Sequence, residues 1–442
     1  MINSSVISLD YHSFLPESYE KLSKLPGFVL LQSTDKSIGR YDILSAYPYE
    51  RVIVKDNIRN KEYVLRELKN KLKIKESGLD LPFQGGAIGY ISYEFGDLLY
   101  GLETHPKSCL SGVPLLNLGF YDWAIIVDHY LKKATLFSGN THSSTANILR
   151  EIKEIILLKK TLEKPNLFSV QGEFSPLISK ENYKNSFNAI QQALRAGRSY
   201  QVNYTQPFQA EFIGDPWRMY QMVNKTNPVP YSAFIRLDEA DILSFSPERF
   251  LLYDNGEILT SPIKGTIHRS TDPFMDKQLK EELLKSSKNN AENIMIVDLL
   301  RNDLGKFAKA GTVKVINLCA IQSYQAVHHL VSDIHAFCRD EIHPVEAFFS
   351  CFPGGSITGA PKLEAMKIIK EQEHYRRGVY CGCITYFSRH GRFDANIAIR
   401  TITAKNNMLH LAAGGGIVID SDWEDEYREC FTKLTAIING IK

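Results

Sequence analysis

The chain has 442 residues, 44% of them apolar, and its 52 basic and 50 acidic residues leave a net charge of +2. That much apolar material supports two or three domains, or one large domain with an elaborated second layer. The balanced charge gives no nucleic-acid footprint, no apolar run reaches membrane-spanning length, and the start Met1-Ile2-Asn3-Ser4 lacks the features of a signal peptide, so a cytoplasmic enzyme is expected. The seven cysteines are scattered, and Cys381-Gly382-Cys383 fits neither a redox pair nor a zinc knuckle; reduced thiols are expected.

In chain order, residues 28–31, 87–91 and 123–128 read as short strands, with tight backbone at Gly85-Gly86 and Gly89. A polar stretch over 159–181, with Pro165 and Pro176, is expected to connect an N-terminal region (1–165) to a second region (175–440). Residues 179–196 predict an amphipathic helix with Tyr183, Phe187, Ile190 and Leu194 on one face. Runs 242–253 and 258–264 flank Asp254-Asn255-Gly256, a hairpin signal with two readings. A two-residue Asn-Gly turn sets Lys264 opposite Pro247, on the other face from Glu248. A three-residue loop with Gly256 left-handed sets Lys264 opposite Ser246, on the same face as Glu248. If both residues serve one site, the second register or an equivalent bulge is required. Helices are expected over 280–304, 361–373 and 423–438, and strands over 378–387, 393–403 and 408–413.

Several residues invite chemistry. Lys264 stands between Ile263 and Gly265, and a lysine held there by burial loses its proton readily and can act as nucleophile or base; a surface lysine guarding a sheet edge is the plain alternative. Glu426, Glu429 and Lys433 are spaced i, i+3, i+7 on one helix face. Two acids a turn apart suit a hard cation such as magnesium, or else a solvated face with an internal ion pair. Glu292, bordering the apolar run 294–297, needs a partner, and a cation between the two helices would satisfy all three acids.

The run Pro353-Gly354-Gly355-Ser356-Ile357-Thr358-Gly359-Ala360-Pro361-Lys362 is a glycine-rich turn entering a helix, with Pro361 suited to the first helical position. It is not a P-loop, and Gly414-Gly415-Gly416 lacks dinucleotide-binding spacing; backbone lining a ligand suits both. Arg400, inside an apolar run over 397–402, calls for a partner, of which an anionic ligand is one candidate. His328 and His329 are adjacent in a strand-like run, so only one faces a given site.

Together these motifs resemble component I of the chorismate-using synthases, which aminate chorismate. The matching segments are Ser246-Pro247-Glu248-Arg249-Phe250, Pro262-Ile263-Lys264-Gly265-Thr266, 291–299, Arg301-Asn302-Asp303, 327–332, the glycine-rich loop and 414–418. The resemblance covers nearly the whole chain and implies an α+β fold: two facing β-sheets, a sandwich core surrounded by helices, with substrate in the cleft between them. Anthranilate-forming members typically carry alanine where Lys264 stands, so the lysine resembles the aminodeoxychorismate branch that leads to 4-aminobenzoate and folate.

The resemblance implies Mg2+ held by Glu292 and Glu429, with Glu426 joining directly or through water; Asn289 stands where the family often has a further acid. It implies Glu248, Lys264 and His329 as catalytic residues. It also implies substrate contacts from Gly265, Thr266, Ser356, Tyr380, Arg400, Gly414, Gly415, Gly416 and Lys433, with Arg400 and Tyr380 on the enolpyruvyl side chain and Gly265 leaving room for the ring. No Gly-x-Cys-x-Gly elbow occurs, so a separate glutamine amidotransferase subunit is expected to supply ammonia. Ser33, Arg40, Tyr41, Pro230, Tyr231 and Ser232 match the family's tryptophan site. The rival readings are anthranilate synthase component I, isochorismate or salicylate synthase, and a regulatory subunit with a decayed site.

Overall fold

Most apolar runs become strands, and the strands sort into two antiparallel sheets. The computed structural model describes residues 4–11, 17–55, 60–75, 77–103, 110–157, 167–324 and 327–441. Among these residues the first sheet has twelve strands. Its spatial order is Ser5–Leu9, Lys133–Ser138, Trp123–Asp128, Tyr41–Ser45, Val29–Gln32, Tyr231–Arg236, Asp241–Ser246, Thr401–Lys405, Met408–Ile417, Gln201–Gly214 and Gly359–Ala360, with Phe168–Pro176 also on Gln201–Gly214. The second has ten: Ile263–His268, Val327–Phe337, Glu257–Ser261, Arg249–Asp254, Phe393–Asn396, Cys383–Ser388, Gly86–Ile91, Leu116–Tyr121 and Glu50–Val54, with Lys314–Ser323 also on Val327–Phe337.

Gly86–Ile91, Leu116–Tyr121 and Trp123–Asp128 are buried at every residue, which is why 87–91 and 123–128 read as apolar runs rather than alternating ones. The main core takes Leu30, Leu44 and Leu243 from the first sheet, Val52, Leu118 and Leu251 from the second, and Ile296, Ile368 and Leu434 from helices. No described helix is long and apolar enough to cross a membrane.

Regions 1–165 and 175–440 share both sheets: Val29–Gln32 pairs with Tyr231–Arg236, and Gly86–Ile91 with Cys383–Ser388. Of the polar stretch between them, 158–166 lies outside the described residues. Phe168–Pro176 is not a free connection but a strand on Gln201–Gly214, with Phe168 stacked on Phe212 at 5.8 Å.

Other expected elements are divided, and the divisions build the cleft. The run 242–253 breaks at Pro247, which has no N–H to give a ladder; Asp241–Ser246 stays in the first sheet and Arg249–Asp254 enters the second. The run 393–403 likewise divides into Phe393–Asn396 in the second sheet and Thr401–Lys405 in the first. Arg400 is therefore not inside a strand; it sits at the crossing, with φ 51°. The two crossings are bonded together, Ile397 N to Glu248 O at 3.0 Å and Phe245 N to Arg400 O at 3.0 Å, which sets Glu248 and Arg400 where the chain passes between sheets.

The helical run 280–304 is two helices, Pro273–Lys285 and Ser287–Gly305, broken at Ser286, whose side chain caps the second. Strand Cys383–Ser388 starts late because Cys381 adopts φ 62°. Pro361 caps helix Lys362–Gln372 from outside instead of occupying its first turn.

The hairpin uses the two-residue turn: Asp254 pairs with Glu257 around Asn255 (φ 50°) and Gly256 (φ 85°). A bulge then sets Arg249 opposite Ser261. Pro262 follows, and Lys264 belongs to Ile263–His268, paired to Val327–Phe337. There Ile263 faces Val331 and Thr266 faces His329, so Lys264 and Gly265 together oppose one residue, Leu330, and Gly265 takes φ 79°. This bulge turns the lysine inward. A Cβ on Gly265 would lie 2.9 Å from Asn289 Cγ and 3.0 Å from Leu283 Cδ1, so the bulge and the neighbouring helices already call for glycine here.

Gly256, also left-handed, has nothing within 4 Å of where its Cβ would be. Gly256→Ala is therefore expected to cost about 1 kcal/mol in denaturant unfolding, the backbone strain alone. Gly265→Ala is expected to cost roughly 1–3 kcal/mol more, from overpacking. Equal losses would contradict the packing account.

Candidate active site

The bulge delivers the Lys264 Nζ to within 3.2 Å of Ser356 O, where it donates a hydrogen bond to the glycine-rich loop. Burial pulls the lysine pKa down against the opposing pull of Glu248 and Glu292. Glu248, 5% exposed, is pushed up by burial, with Lys264 and hydrogen bonds from Ser356 and Ile263 opposing the rise. Burial thus moves both groups toward their neutral forms. Glu248 and Lys264 stand near enough for each charge to act on the other, brought there by two bulges rather than a three-residue loop.

His329 lies beside them. Its Nδ1 is 2.8 Å from Thr266 Oγ1, its ring meets Tyr324 edge-on at 4.9 Å, and burial, with the nearby Arg400 charge, drops its pKa to about 3. It is a neutral imidazole. His328 points the other way, bonding Asp276 and Ser323 at 2.9 Å each, as alternation in a strand demands. The guanidinium of the half-buried Arg400 makes no hydrogen bond or ion pair with the described residues, and burial lowers its pKa. An arginine left without a partner in such a place suits an anionic ligand. Tyr380 is buried, and its phenol is pushed well up by burial.

The acids gather on two helices, Ser287–Gly305 and Trp423–Ile441. Burial raises Glu292, and the Glu429 charge raises it further against Lys264 and Lys288. Glu426 rises to about 7 through burial and Glu429, although Ser421 donates to it at 2.8 Å and Lys288 stands 3.8 Å away. Burial raises Glu429 too, but Lys433 at 2.6 Å holds it below the ordinary range. Lys433 also donates to Gly414 O at 2.7 Å. A Cβ on Gly415 would come within 2.8 Å of Glu426 Oε2, which places the acid helix close against this strand. Gly414 is required more strictly, since its Cβ would lie 2.0 Å from the backbone Tyr204 O, and a Cβ on Gly416 would displace the Gln201 side chain.

Among the described residues no three acids, histidines or cysteines stand close enough together to hold a metal as they are. The donor set nevertheless fits a hard cation: carboxylates that raise one another's pKa and now lean on lysines.

Ser33, Arg40, Tyr41, Pro230, Tyr231 and Ser232 all line one cavity of about 850 Å³, walled on its far side by Pro247, Arg249, Ile263 and Asp394. Arg40 pairs with Asp128 at 2.7 Å at its rim. Sequence reasoning missed the buried pairs that brace the site. These are Lys362 with Asp303 at 2.5 Å, and Arg377 with Glu373 at 2.7 Å. The i, i+4 spacing of Glu373 and Arg377 was visible, but their burial was not.

The family described as chorismate binding enzyme matches residues 27–439. The chain is 39% identical to aminodeoxychorismate synthase component 1 of Escherichia coli, over all of this chain and 99% of that protein. It is 32% identical to anthranilate synthase component 1 of Bacillus subtilis, over 96% of this chain and 88% of that one. The structure of anthranilate synthase component I from Streptococcus pneumoniae superposes with a TM-score of 0.82 at 29% identity, covering 90% of this chain and 92% of the other. With this match across nearly its whole length, on two antiparallel sheets that bring the motif residues together, the chain belongs to the chorismate binding enzyme family.

Proposed function

We propose that the chain is an aminodeoxychorismate synthase component I, converting chorismate and ammonia to 4-amino-4-deoxychorismate for 4-aminobenzoate synthesis. The observation that carries this reading is the neutral-leaning pair of Lys264 and Glu248 at the glycine-rich loop. The relatives named aminodeoxychorismate synthase component 1 support it.

In this reading Glu248, kept protonated by burial, gives its proton to the C4 hydroxyl, which leaves as water. The Lys264 amine attacks C2, and the ring double bonds shift toward C4 as the C4–O bond breaks. Ammonia then adds at C4, the double bonds shift back, and the C2–N bond to lysine breaks. Arg400 and Tyr380 hold the enolpyruvyl group; Ser356 with its neighbours Gly265 and Thr266, the backbone at 414–416 and Lys433 hold the rest of the substrate. His329, uncharged, hydrogen-bonds within the site. Mg2+ is the proposed cofactor, with Glu292 and Glu429 as its holders and Glu426 beside them. It would supply positive charge to the ring carboxylate and relieve the mutual repulsion of the acids. The ammonia source is a separate glutamine amidotransferase subunit, in keeping with the "component 1" of the relatives' names. The 850 Å³ cavity is proposed to take tryptophan.

The purified chain with chorismate, Mg2+ and ammonium is expected to yield a product of aminodeoxychorismate mass, and 4-aminobenzoate once a lyase is added. Anthranilate with pyruvate release would overturn the reading. Glutamine in place of ammonium is expected to give no product until the second subunit is added. Lys264→Ala is expected to lose amination by about 10³-fold or more while chorismate binding persists. The active form needs Lys264 unprotonated and Glu248 protonated. kcat/KM should therefore fall as pH drops through the depressed lysine pKa and fall again as pH rises through the elevated glutamate pKa. Glu248→Gln should remove the second fall; a profile unchanged by that substitution would remove Glu248 from the acid role.

A further inference from the structure

Arg377 and Glu373 lie outside the set of residues that face the substrate, yet they are 3% and 2% exposed, and no ionic pair is placed so deeply without consequence. Arg377 Nε and Nη2 donate to the two oxygens of Glu373 at 2.8 and 2.7 Å. Its remaining bonds go to backbone: Nη1 to Ile357 O at 2.8 Å and Nη2 to Asn203 O at 2.6 Å. Its guanidinium lies 4.4 Å from the centre of the Tyr93 ring. Glu373 in turn accepts from both the amide and the hydroxyl of Thr205 at 2.9 Å.

The destinations of these bonds are what matter. Ile357 follows Ser356, whose carbonyl receives the Lys264 amine. Asn203 and Thr205 are the strand partners of Gly416 and Gly414. Arg377 also begins the segment that leads to Tyr380, and its own N–H, with that of Gly378, is held by Glu94 at 2.6 and 3.1 Å. One guanidinium thus ties the glycine-rich loop, the strand behind the triple glycine and the Tyr380 turn to each other. An apolar side chain could fill the same space, but it could not fix two carbonyls from separate segments at chosen points.

We infer that Arg377, oriented by Glu373, is a positioning residue that fixes the spacing of the three backbone segments lining the chorismate site. The inference rests on the function proposed above. A small change in that spacing would move Ser356 and Tyr380 apart and weaken their joint grip on the substrate.

The test compares the wild-type chain with Arg377→Gln, Arg377→Lys, Glu373→Gln and Thr205→Val. For each, it measures thermal midpoint, KM and kcat for chorismate with ammonium, and the chorismate dissociation constant by calorimetry. Arg377→Gln is expected to lose on the order of a hundredfold in kcat/KM, with KM and the dissociation constant rising together. Arg377→Lys, which can keep one of the two carbonyl bonds, should recover part of that loss. Thr205→Val removes the hydroxyl's bonds to Glu373 and to the Tyr375 hydroxyl (2.6 Å) and buries no charge; it should stay folded and raise KM several-fold. Should Arg377→Gln fail to fold, Thr205→Val and Glu373→Gln decide: wild-type KM in both overturns the inference, as does a fall in thermal midpoint with KM unmoved in Arg377→Gln. A wild-type chain that binds chorismate without aminating it refutes the proposed function alone, since the positioning effect is still read from the dissociation constants. A wild-type chain that does not bind chorismate overturns both.

Discussion

The structure depends on the cost of hiding charge. A lysine and a glutamate brought together out of water either pair as ions, with good geometry and further bonds, or move toward their neutral forms. Lys264 and Glu248 take the second course: burial outweighs their mutual attraction, so the amine and the acid each shift toward the uncharged state. That arrangement needs a lysine turned inward from an edge strand, which needs the Lys264–Gly265 bulge, which needs a glycine packed against Asn289 and Leu283. It also needs Glu248 where the chain leaves one sheet for the other, which Pro247 enforces.

Electrostatics of the opposite kind surround this pair. Arg377 with Glu373 and Lys362 with Asp303 stay as close, buried ion pairs; the first reaches Ile357 O inside the glycine-rich loop and the second Cys351 O just before it. The fully bonded charges hold the frame, and the incompletely bonded ones (Lys264, Glu248, Arg400, Glu426 and Glu292) are left for chemistry and ligands. The acids on the two helices repel one another, and lysines now meet part of that charge. A divalent cation would meet the rest.

Much of this was legible in the sequence because several signals are local. The helix over 180–195 follows from the spacing of Tyr183, Phe187, Ile190 and Leu194. Strand Trp123–Asp128 follows from its apolar run, and the opposite facing of His328 and His329 from alternation. What was not legible depended on which sheet a strand joins. Periodicity is the same on both sides of Pro247 and of the 397–400 crossing, so the changes of sheet that make the cleft left no pattern of their own. The polar run over 159–181 looked like a linker because the strand within it, Phe168–Pro176, is largely exposed and carries polar residues. Buried pairs such as Arg377 with Glu373 were hidden because a charged pair at helix spacing is ordinarily a surface feature.

The central claim is that Lys264, its pKa lowered by burial, bonds to the substrate through its amine. The most direct measurement is peptide mass spectrometry of the wild-type chain quenched in acid after mixing with chorismate and Mg2+ and no ammonia. The account predicts that the Lys264 peptide gains the mass of chorismate less one water, and that adding ammonium before the quench removes the gain. An unmodified Lys264 peptide, in a preparation that turns over chorismate once ammonium is supplied, would contradict it.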